Sequence, residues 1–593
     1  MATTNLWVVL LALLVGVTGG QQDLLDRFCR RHGQQTTVID RRLYIDGGFI
    51  ITDPEPNPLN YSNTALQYAD LDIEYQGFPK VFRNLSKSGN VPDVNGGILW
   101  PDTVNKLFYL YGGEYSEGSP RRFTLWMYDT IYDTWNTSTS DSQIDIQRAS
   151  YGAGATIQDR GVGYYYGGWL SNASVPSWGA QSPLALSTFL HYNMLENEWT
   201  NTSGPDTVGR AEGAMVYLPA GDSGLLVYLG GLQVPKDNNT VMAQPMNEIL
   251  IYDIAGSKWY KQKATGDVPD GRRRFCAGAT WAEDRSSYNI YVYGGLAAGR
   301  SGGFPDIYVL TLPTFTWIKW WPKGPSTGAP KHTMSCDVVG LGQMLVIGGY
   351  SIKNVTECDV PTIYAQHNIY LGRQNPEQAE WARFRPNLTE YHVPSEIISV
   401  IGGSATGGAD RREPKDGFNH DDLRLYFRRT YNEGTRSPTR AIPSATSSDD
   451  TDSGSTPAGT IAGSVVGGVA GVGLIAGLLF WYFRVHRNKK TNQSAELSSQ
   501  PLHPYPDERK PKPPMEPDHP PRSELGNTVL AELPSPWPSP QSGNDGTWRN
   551  STTSHNLSPP HSPSSLPPYS THNANDPTAS SYQSPMPSQQ ERR

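Results

Sequence analysis

The sequence predicts an all-β repeat protein, and three observations predict it. First, a run of aromatic and β-branched residues ends in two glycines six times. The copies are LYIDGG at Gly47 and Gly48, LFYLYGG at Gly112 and Gly113, VGYYYGG at Gly167 and Gly168, LLVYLGG at Gly230 and Gly231, NIYVYGG at Gly294 and Gly295, and MLVIGG at Gly348 and Gly349. Successive copies lie 65, 55, 63, 64 and 54 residues apart. Second, a strand with Tyr follows, and seven residues later a Trp: Tyr128 and Trp135, Tyr192 and Trp199, Tyr252 and Trp259. Third, 11% of the residues are aromatic and 60 are glycine, as many buried strands and tight turns require. Tyr, Val, Ile and Leu suit strands buried on both faces. Paired glycines admit backbone angles and close approaches that a Cβ forbids, and a near-constant period marks a repeat architecture.

The bulk properties bound the function. At 593 residues with a formal net charge of −8, the chain is too acidic for a general nucleic-acid surface. Its four cysteines, Cys29, Cys276, Cys336 and Cys358, all precede the long apolar segment near residue 470 and none follows it. That asymmetry suits an oxidising compartment before the segment and a reducing one after it. Four cysteines allow three pairings. Cys276 with Cys336 is favoured, because both fall on the strand before a diglycine strand in neighbouring repeats.

Residues 1–20 read as a secretory signal: the apolar run from Leu6 to Val17 is too short to span a bilayer and is followed by Thr18, Gly19 and Gly20. From about Cys29 each repeat has one internal order. A run of small and apolar residues (SYGAGATI, Ser150 to Ile157) precedes the diglycine strand, then come a variable loop, the Tyr strand and the Trp. In the fifth repeat Leu310 holds the Tyr place before Trp317, and in the sixth the spacing stretches from Tyr370 to Trp381. In the first, Tyr75 and Phe82 stand in. Four strands per unit suggest the blades of a β-propeller, with the large rings filling the wedges between blades.

Over roughly residues 29 to 430 this order of diglycine, Tyr and Trp resembles the kelch family. With the signal and the later apolar span, the chain is similar to the secreted single-pass kelch proteins of filamentous fungi. The resemblance implies a propeller that binds protein partners. A few relatives are copper oxidases of the galactose-oxidase type, whose centre needs two Tyr, two His and a Cys crosslinked to one Tyr; no motif here identifies such a set, so no metal, cofactor or catalytic residue is expected. Six blades are expected, because Trp381 precedes Gly402 by only 21 residues, whereas earlier tryptophans precede their next diglycine by 31 to 35. Glu396 to Gly403 is therefore read as a strand helping to close the ring. Seven blades result if Asp422 to Phe427 completes another.

Sequons occur at Asn60, Asn84, Asn136, Asn172, Asn201, Asn238, Asn354 and Asn387, as a secreted glycoprotein would carry them. Residues 431–460, rich in Ser, Thr, Pro and Asp, read as a stalk. Ile461 to Phe483 has 23 residues without a charge and is long enough to cross a membrane. Arg484, Arg487, Lys489 and Lys490 follow it, which places the C-terminus in the cytoplasm and the propeller outside, a type I arrangement at the plasma membrane. Small-residue pairs such as Gly463 with Gly467 would let two such helices approach as a homodimer. Residues 484–593 lack the apolar content for a core. They hold Pro517, Pro520 and Arg522 in the spacing that SH3 domains read, and LPPY, Leu566 to Tyr569, in that of a WW ligand.

A basic residue recurs just before the first strand of most repeats: Arg31, Arg148, Arg210, Arg273 and Lys331. Equivalent positions of a propeller share one rim, so these would ring one mouth of the channel. They would serve either as salt bridges between blades, the favoured reading, or as a ligand rim for an acidic partner.

Overall fold

The computed structural model describes residues 24–443, except 53–59, 139–143, 237–239, 326–327, 354–356 and 376–378. The signal, the membrane span, the tail motifs, and Asn238 and Asn354 lie outside the described residues. Among the described residues no helix is long and apolar enough to cross a membrane.

The repeats fold into small antiparallel sheets, each a meander. The first joins Gln35–Ile39, Arg42–Asp46, Leu66–Tyr75 and Phe78–Leu85. The second joins Val94–Asp102, Leu107–Tyr115, Leu125–Asp129 and Thr134–Ser138. The third joins Ala153–Ile157, Val162–Tyr166, Thr188–Asn193 and Glu198–Ser203. The fourth joins Ala214–Leu218, Leu225–Leu229, Glu248–Asp253 and Lys258–Lys263. The fifth joins Cys276–Trp281, Tyr288–Tyr293, Ile307–Leu312 and Thr316–Trp321. The sixth has three strands, Ser335–Val339, Gln343–Ile347 and Gln366–Tyr370. The first strands touch one another in order, and that of the sixth sheet touches that of the first.

The glycine pairs explain this closure. In every repeat the N–H of the second glycine donates to a carbonyl of the next sheet. Gly48 reaches Val94, Gly113 reaches Ala149, Gly168 reaches Arg210, Gly231 reaches Arg272, Gly295 reaches Lys331, and Gly349 returns to Arg31, all at 2.8–2.9 Å. The first glycine lets that carbonyl come close. At Gly167, with φ of +69°, a Cβ would stand 2.1 Å from the Arg210 oxygen. Two residues beyond each accepting carbonyl lies a second ring. Gly33, Gly96, Tyr151, Glu212, Arg274 and Thr333 all have φ between +51° and +72°. Each N–H donates to the carbonyl of the member before it, and Gly33 donates to Thr333, at 2.7–3.0 Å. The last sheet is thus tied to the first by both rings.

The Tyr–Trp pairs are cross-strand partners: Tyr128 opposes Trp135, Tyr192 opposes Trp199, and Tyr252 opposes Trp259. Each Trp reaches the preceding sheet. The Trp199 ring lies 5.5 Å from Tyr111, and Trp259 lies 5.1 Å from Tyr166. In the first sheet the expected pairing is corrected. Phe82 opposes Tyr68, at 5.0 Å, while Tyr75 opposes Phe78, because the register slips between Asp70 and Glu74. Leu310 does oppose Trp317. Trp381 lies outside a strand and packs on Tyr293 and His367.

Three further expectations change. Ser395–Ile401, within the segment expected as a closing strand, is an α-helix. Ile397 and Ile401, one helical turn apart, bury against a cluster containing Ile318 and Trp320, and helical spacing puts both on one face. Asp421–Tyr426 is also helical, with Leu423 buried, so it completes no seventh sheet. Finally, part of the segment expected as a stalk from residue 431 packs on the propeller. Arg436 pairs with the buried Asp102 at 2.5 Å, and Arg440 pairs with Asp129. Both disulfides link repeats that are neighbours in the ring: Cys276 to Cys336 across neighbouring first strands, and Cys29 to Cys358 across the seam between the first and last sheets.

Candidate functional site

The first strands enclose a cavity of about 430 Å³. It is lined by Gln35, Ile98, Met215 and Asp337 of the strands and by Tyr151, Glu212 and Arg274 of the left-handed ring, whose opening is termed its mouth. Five of the first strands begin two residues beyond their ring member, and Gly96 lies within the second sheet's first strand. The same backbone geometry therefore presents six different residues around one opening: Gly33, Gly96, Tyr151, Glu212, Arg274 and Thr333.

Tyr151, Glu212 and Arg274 form one connected group, while Thr333 Oγ1 bonds to His332 Nδ1 at 2.6 Å. The Arg274 guanidinium stacks 4.1 Å from the centre of the Tyr151 ring and donates to Glu212 Oε1 at 3.0 Å. Arg273 donates to Glu212 Oε2 at 2.6 Å, and the Trp169 indole N–H to Oε1 at 3.3 Å. Burial alone would raise the Glu212 pKa, but the Arg274 and Arg273 cations hold it down to about 2. The Tyr151 hydroxyl donates to Asn95 Oδ1 at 2.5 Å. Ser150 Oγ donates to Glu114 Oε2 at 3.2 Å, and burial raises the Glu114 carboxyl. His32 and His332 flank Tyr350, with ring centres 5.2 and 5.4 Å from it. Burial, with nearby arginines, depresses them to about 4 and about 3, so both are neutral at physiological pH. Deeper in the channel, Thr36 Oγ1 donates to Asp337 Oδ2 at 2.6 Å. Burial pushes the Asp337 carboxyl up to about 6, with the Thr36 bond working against that rise.

The basic residues singled out in the sequence stand elsewhere; Arg273 pairs with Glu212 of the neighbouring repeat at 2.6 Å, as the favoured reading of salt bridges between blades expects, and the others form no common rim. Arg31 is buried and donates to Gln67 Oε1 at 2.8 Å, and desolvation lowers its pKa to about 10. Arg148 is buried against the Tyr115 and Phe123 rings and donates to the Gly112 carbonyl. Arg210 is buried and holds Asp206 with two nitrogens, at 2.6 and 2.9 Å. Lys331 pairs with Asp359 at 2.7 Å, beside His367. Only Arg273 contributes to the mouth, through Glu212. The register was also offset: the ring-equivalent residues are Ala149 and Arg272, each adjacent to the residue expected. Arg272 is itself buried, paired with Asp306 at 2.7 Å.

The left-handed ring was missed by sequence reasoning. Its signal was present two residues beyond each accepting carbonyl, but those places hold two glycines and four unlike residues, Tyr, Glu, Arg and Thr, and no composition rule marks them. Of the expected glycosylation sites, Asn60, Asn84, Asn136, Asn172, Asn201 and Asn387 are exposed. All four cysteines are in disulfides, which leaves none for a crosslink to tyrosine. Among the described residues no three His, Cys, Asp or Glu side chains are grouped as metal ligands.

The cyclic order of the sheets and the two hydrogen-bonded rings define a closed β-propeller. No family model matches the chain. A "Kelch repeat-containing protein" of Arthroderma benhamiae is 31% identical over 443 residues, 65% of this chain and 65% of that one. The "Kelch domain-containing protein 3" of Bos taurus and that of Homo sapiens are each 30% identical over 107 residues, 18% of this chain and 25% of theirs. These matches support a kelch-repeat protein. The match thus spans about two thirds of the Arthroderma relative and a quarter of the mammalian ones. The solved structure of YjhT aligns with a TM-score of 0.40 and 14% identity, over 58% of this chain and 95% of its own; a likeness that weak adds nothing to the fold argument.

Proposed function

We propose that this chain is a six-bladed kelch propeller displayed at the cell surface, which binds an extracellular protein or cell-wall glycan at the mouth lined by Tyr151, Glu212, Arg274 and Thr333. The single observation that carries the reading is the composition of the left-handed ring. Gly33 and Gly96 occupy two of its six places with positive φ. Four places instead carry side chains at the same angles, at a cost of roughly 1–2 kcal/mol each. Strained residues gathered at one rim are a feature of sites where the side chain is needed. The chemistry there, an arginine on an aromatic face beside a carboxylate, is suited to recognition rather than to bond breaking. The signal, the apolar segment from 461 to 483 and its basic flank support display outside the membrane. The SH3-type and WW-type motifs support recruitment of cytoplasmic adaptors by the tail.

The test uses Tyr151→Gly and Thr333→Gly, because glycine relieves the strained angle and removes only the side chain. Both variants should fold as well as the parent by thermal unfolding. Both should lose the partners that the parent captures from a cell-surface extract and wall glycan preparation. If the folded variants capture the same set, the mouth is not the binding site.

A further inference from the structure

The outermost strand of a blade has one unpaired edge, and such an edge is a template for another strand. The six sheets manage it in two ways. In the fourth, Lys263 N–H donates to Asn419 Oδ1 at 3.0 Å, Asn419 N–H donates to Gln262 Oε1 at 2.8 Å, and the Tyr260 hydroxyl donates to Asp422 at 2.6 Å. In the fifth, Thr265 and Gly266 pair in parallel with Thr316 and Trp317. In the sixth, Ala382 N–H donates to the Asn368 carbonyl at 2.8 Å. These three edges are occupied by the chain itself, and none of the strands carries a sequon.

The other three differ. Among the described residues no strand pairs with the outer edge of Phe78–Leu85, Thr134–Ser138 or Glu198–Ser203. The first of these is engaged toward its hairpin end, where Pro79 and Gly77 carbonyls accept from Gln366 and Phe384, and through its Arg83 side chain, which pairs with Asp26 at 2.9 Å. Each of the three carries an exposed sequon asparagine: Asn84, Asn136 and Asn201. Thr134–Ser138 has no Lys or Pro, the usual edge guards, and neither has Glu198–Ser203.

We propose that N-linked glycans on Asn84, Asn136 and Asn201 shield the three uncovered blade edges and keep the propeller from associating edge to edge. A second strand must come within ~4.8 Å to pair, and a bulky hydrated glycan on the edge strand denies it that approach. Occupancy itself rests on the secreted reading above; the shielding role rests on the strand edges.

The test uses the full chain made in a eukaryotic secretory host and purified in mild detergent. Peptide mass spectrometry reads glycan occupancy at each asparagine. Sedimentation velocity reads self-association of the parent, of Asn136→Gln/Asn201→Gln, of a triple variant adding Asn84→Gln, and of an Asn60→Gln/Asn172→Gln control. Enzymatic deglycosylation of the folded parent gives the same reading without a substitution. The edge sites should be occupied. The edge variants and the deglycosylated parent should associate at a concentration about tenfold lower than the parent, which corresponds to ~1.4 kcal/mol, and the control variant should not. Occupied edges whose loss leaves association unchanged would overturn the shielding role. Bare edge sites on a chain glycosylated at Asn60 or Asn172 would overturn the proposal while leaving secretion standing. A chain bare at every sequon would overturn secretion and the proposal together.

Discussion

Alanine at Gly167 should be among the most damaging single-methyl additions to this propeller, and the structure supplies its own controls. Gly167 and Gly118 have similar positive φ, +69° and +75°. The intrinsic cost of a Cβ in that region is roughly 1–2 kcal/mol at either place. Around Gly118 nothing lies within 4 Å of the added carbon, so Gly118→Ala should cost only that. At Gly167 the carbon would lie 2.1 Å from the Arg210 carbonyl oxygen, a backbone atom. That oxygen also accepts the 2.8 Å bond from Gly168 N–H. Pushing it away breaks a bond worth about 1 kcal/mol and leaves buried partners unsatisfied at about 1–3 kcal/mol more. Gly167→Ala should therefore cost about 3–6 kcal/mol, a large part of the 5–15 kcal/mol typical of a domain. Gly402→Ala should fall between the two, because the nearest atom there is a side-chain oxygen of Asp410 that can move. Urea unfolding, followed by Trp fluorescence, measures all three. Equal losses at Gly167 and Gly118 would refute the claim that the diglycines serve inter-blade approach rather than local turning.

Two further outcomes follow from buried charge. Burial pushes the folded Asp337 carboxyl up to about 6, from an ordinary value of 3.8. A raised acid contributes stability fully present below the unfolded value and lost as pH rises through the folded one. The parent should therefore lose up to about 2–3 kcal/mol between pH 4 and 7 from this residue. Asp337→Asn should remove that dependence and be the more stable protein at pH 7, and denaturant midpoints across that range would show it. Arg436→Ala leaves the fully buried Asp102 without its cation. It should cost about 3–5 kcal/mol, read by the same unfolding assay, whereas Arg300→Ala, whose pair with Asp270 is exposed, should cost less than ~1 kcal/mol.

What could be read in advance was what is local. A glycine pair after four apolar residues announces itself in six residues, and so does a Tyr seven places before a Trp. The partner of each pair could not be read, because the Arg210 carbonyl belongs to the next repeat and any residue type supplies one. Counting failed where the chain slips. The irregular register between Asp70 and Glu74 moves the true aromatic partner from Tyr75 to Tyr68. The basic recurrence failed for a related reason. Arg272 and Arg273 are adjacent, and in a strand neighbouring side chains face opposite sides; one enters the blade and the other reaches Glu212. Over Ser395–Ile401, four β-branched residues read equally as strand or helix in so short a window. The decision came from Ile318 and Trp320, some eighty residues away, which offer a surface that a helical face fits.

The first strands have two ends, and the chain treats them differently. At the turn end the segment after the sixth sheet runs back along the ring. It leaves Thr389 beside Gly340, Gly408 N–H on Asp284, Arg429 on Asp222, Tyr431 on Asp159 and Arg436 on Asp102. The turn carboxylates of four consecutive sheets are thereby taken by one strap. At the diglycine end the backbone is equally well bonded, through two rings, but the side chains above it were left free to vary. Closure by backbone is what permits that freedom: N–H and carbonyl groups seal the ring whatever the side chain, and the left-handed angle adds a cost of roughly 1–2 kcal/mol at a non-glycine place. The residues proposed for recognition, Tyr151, Glu212 and Arg274, lie at the end opposite this strap.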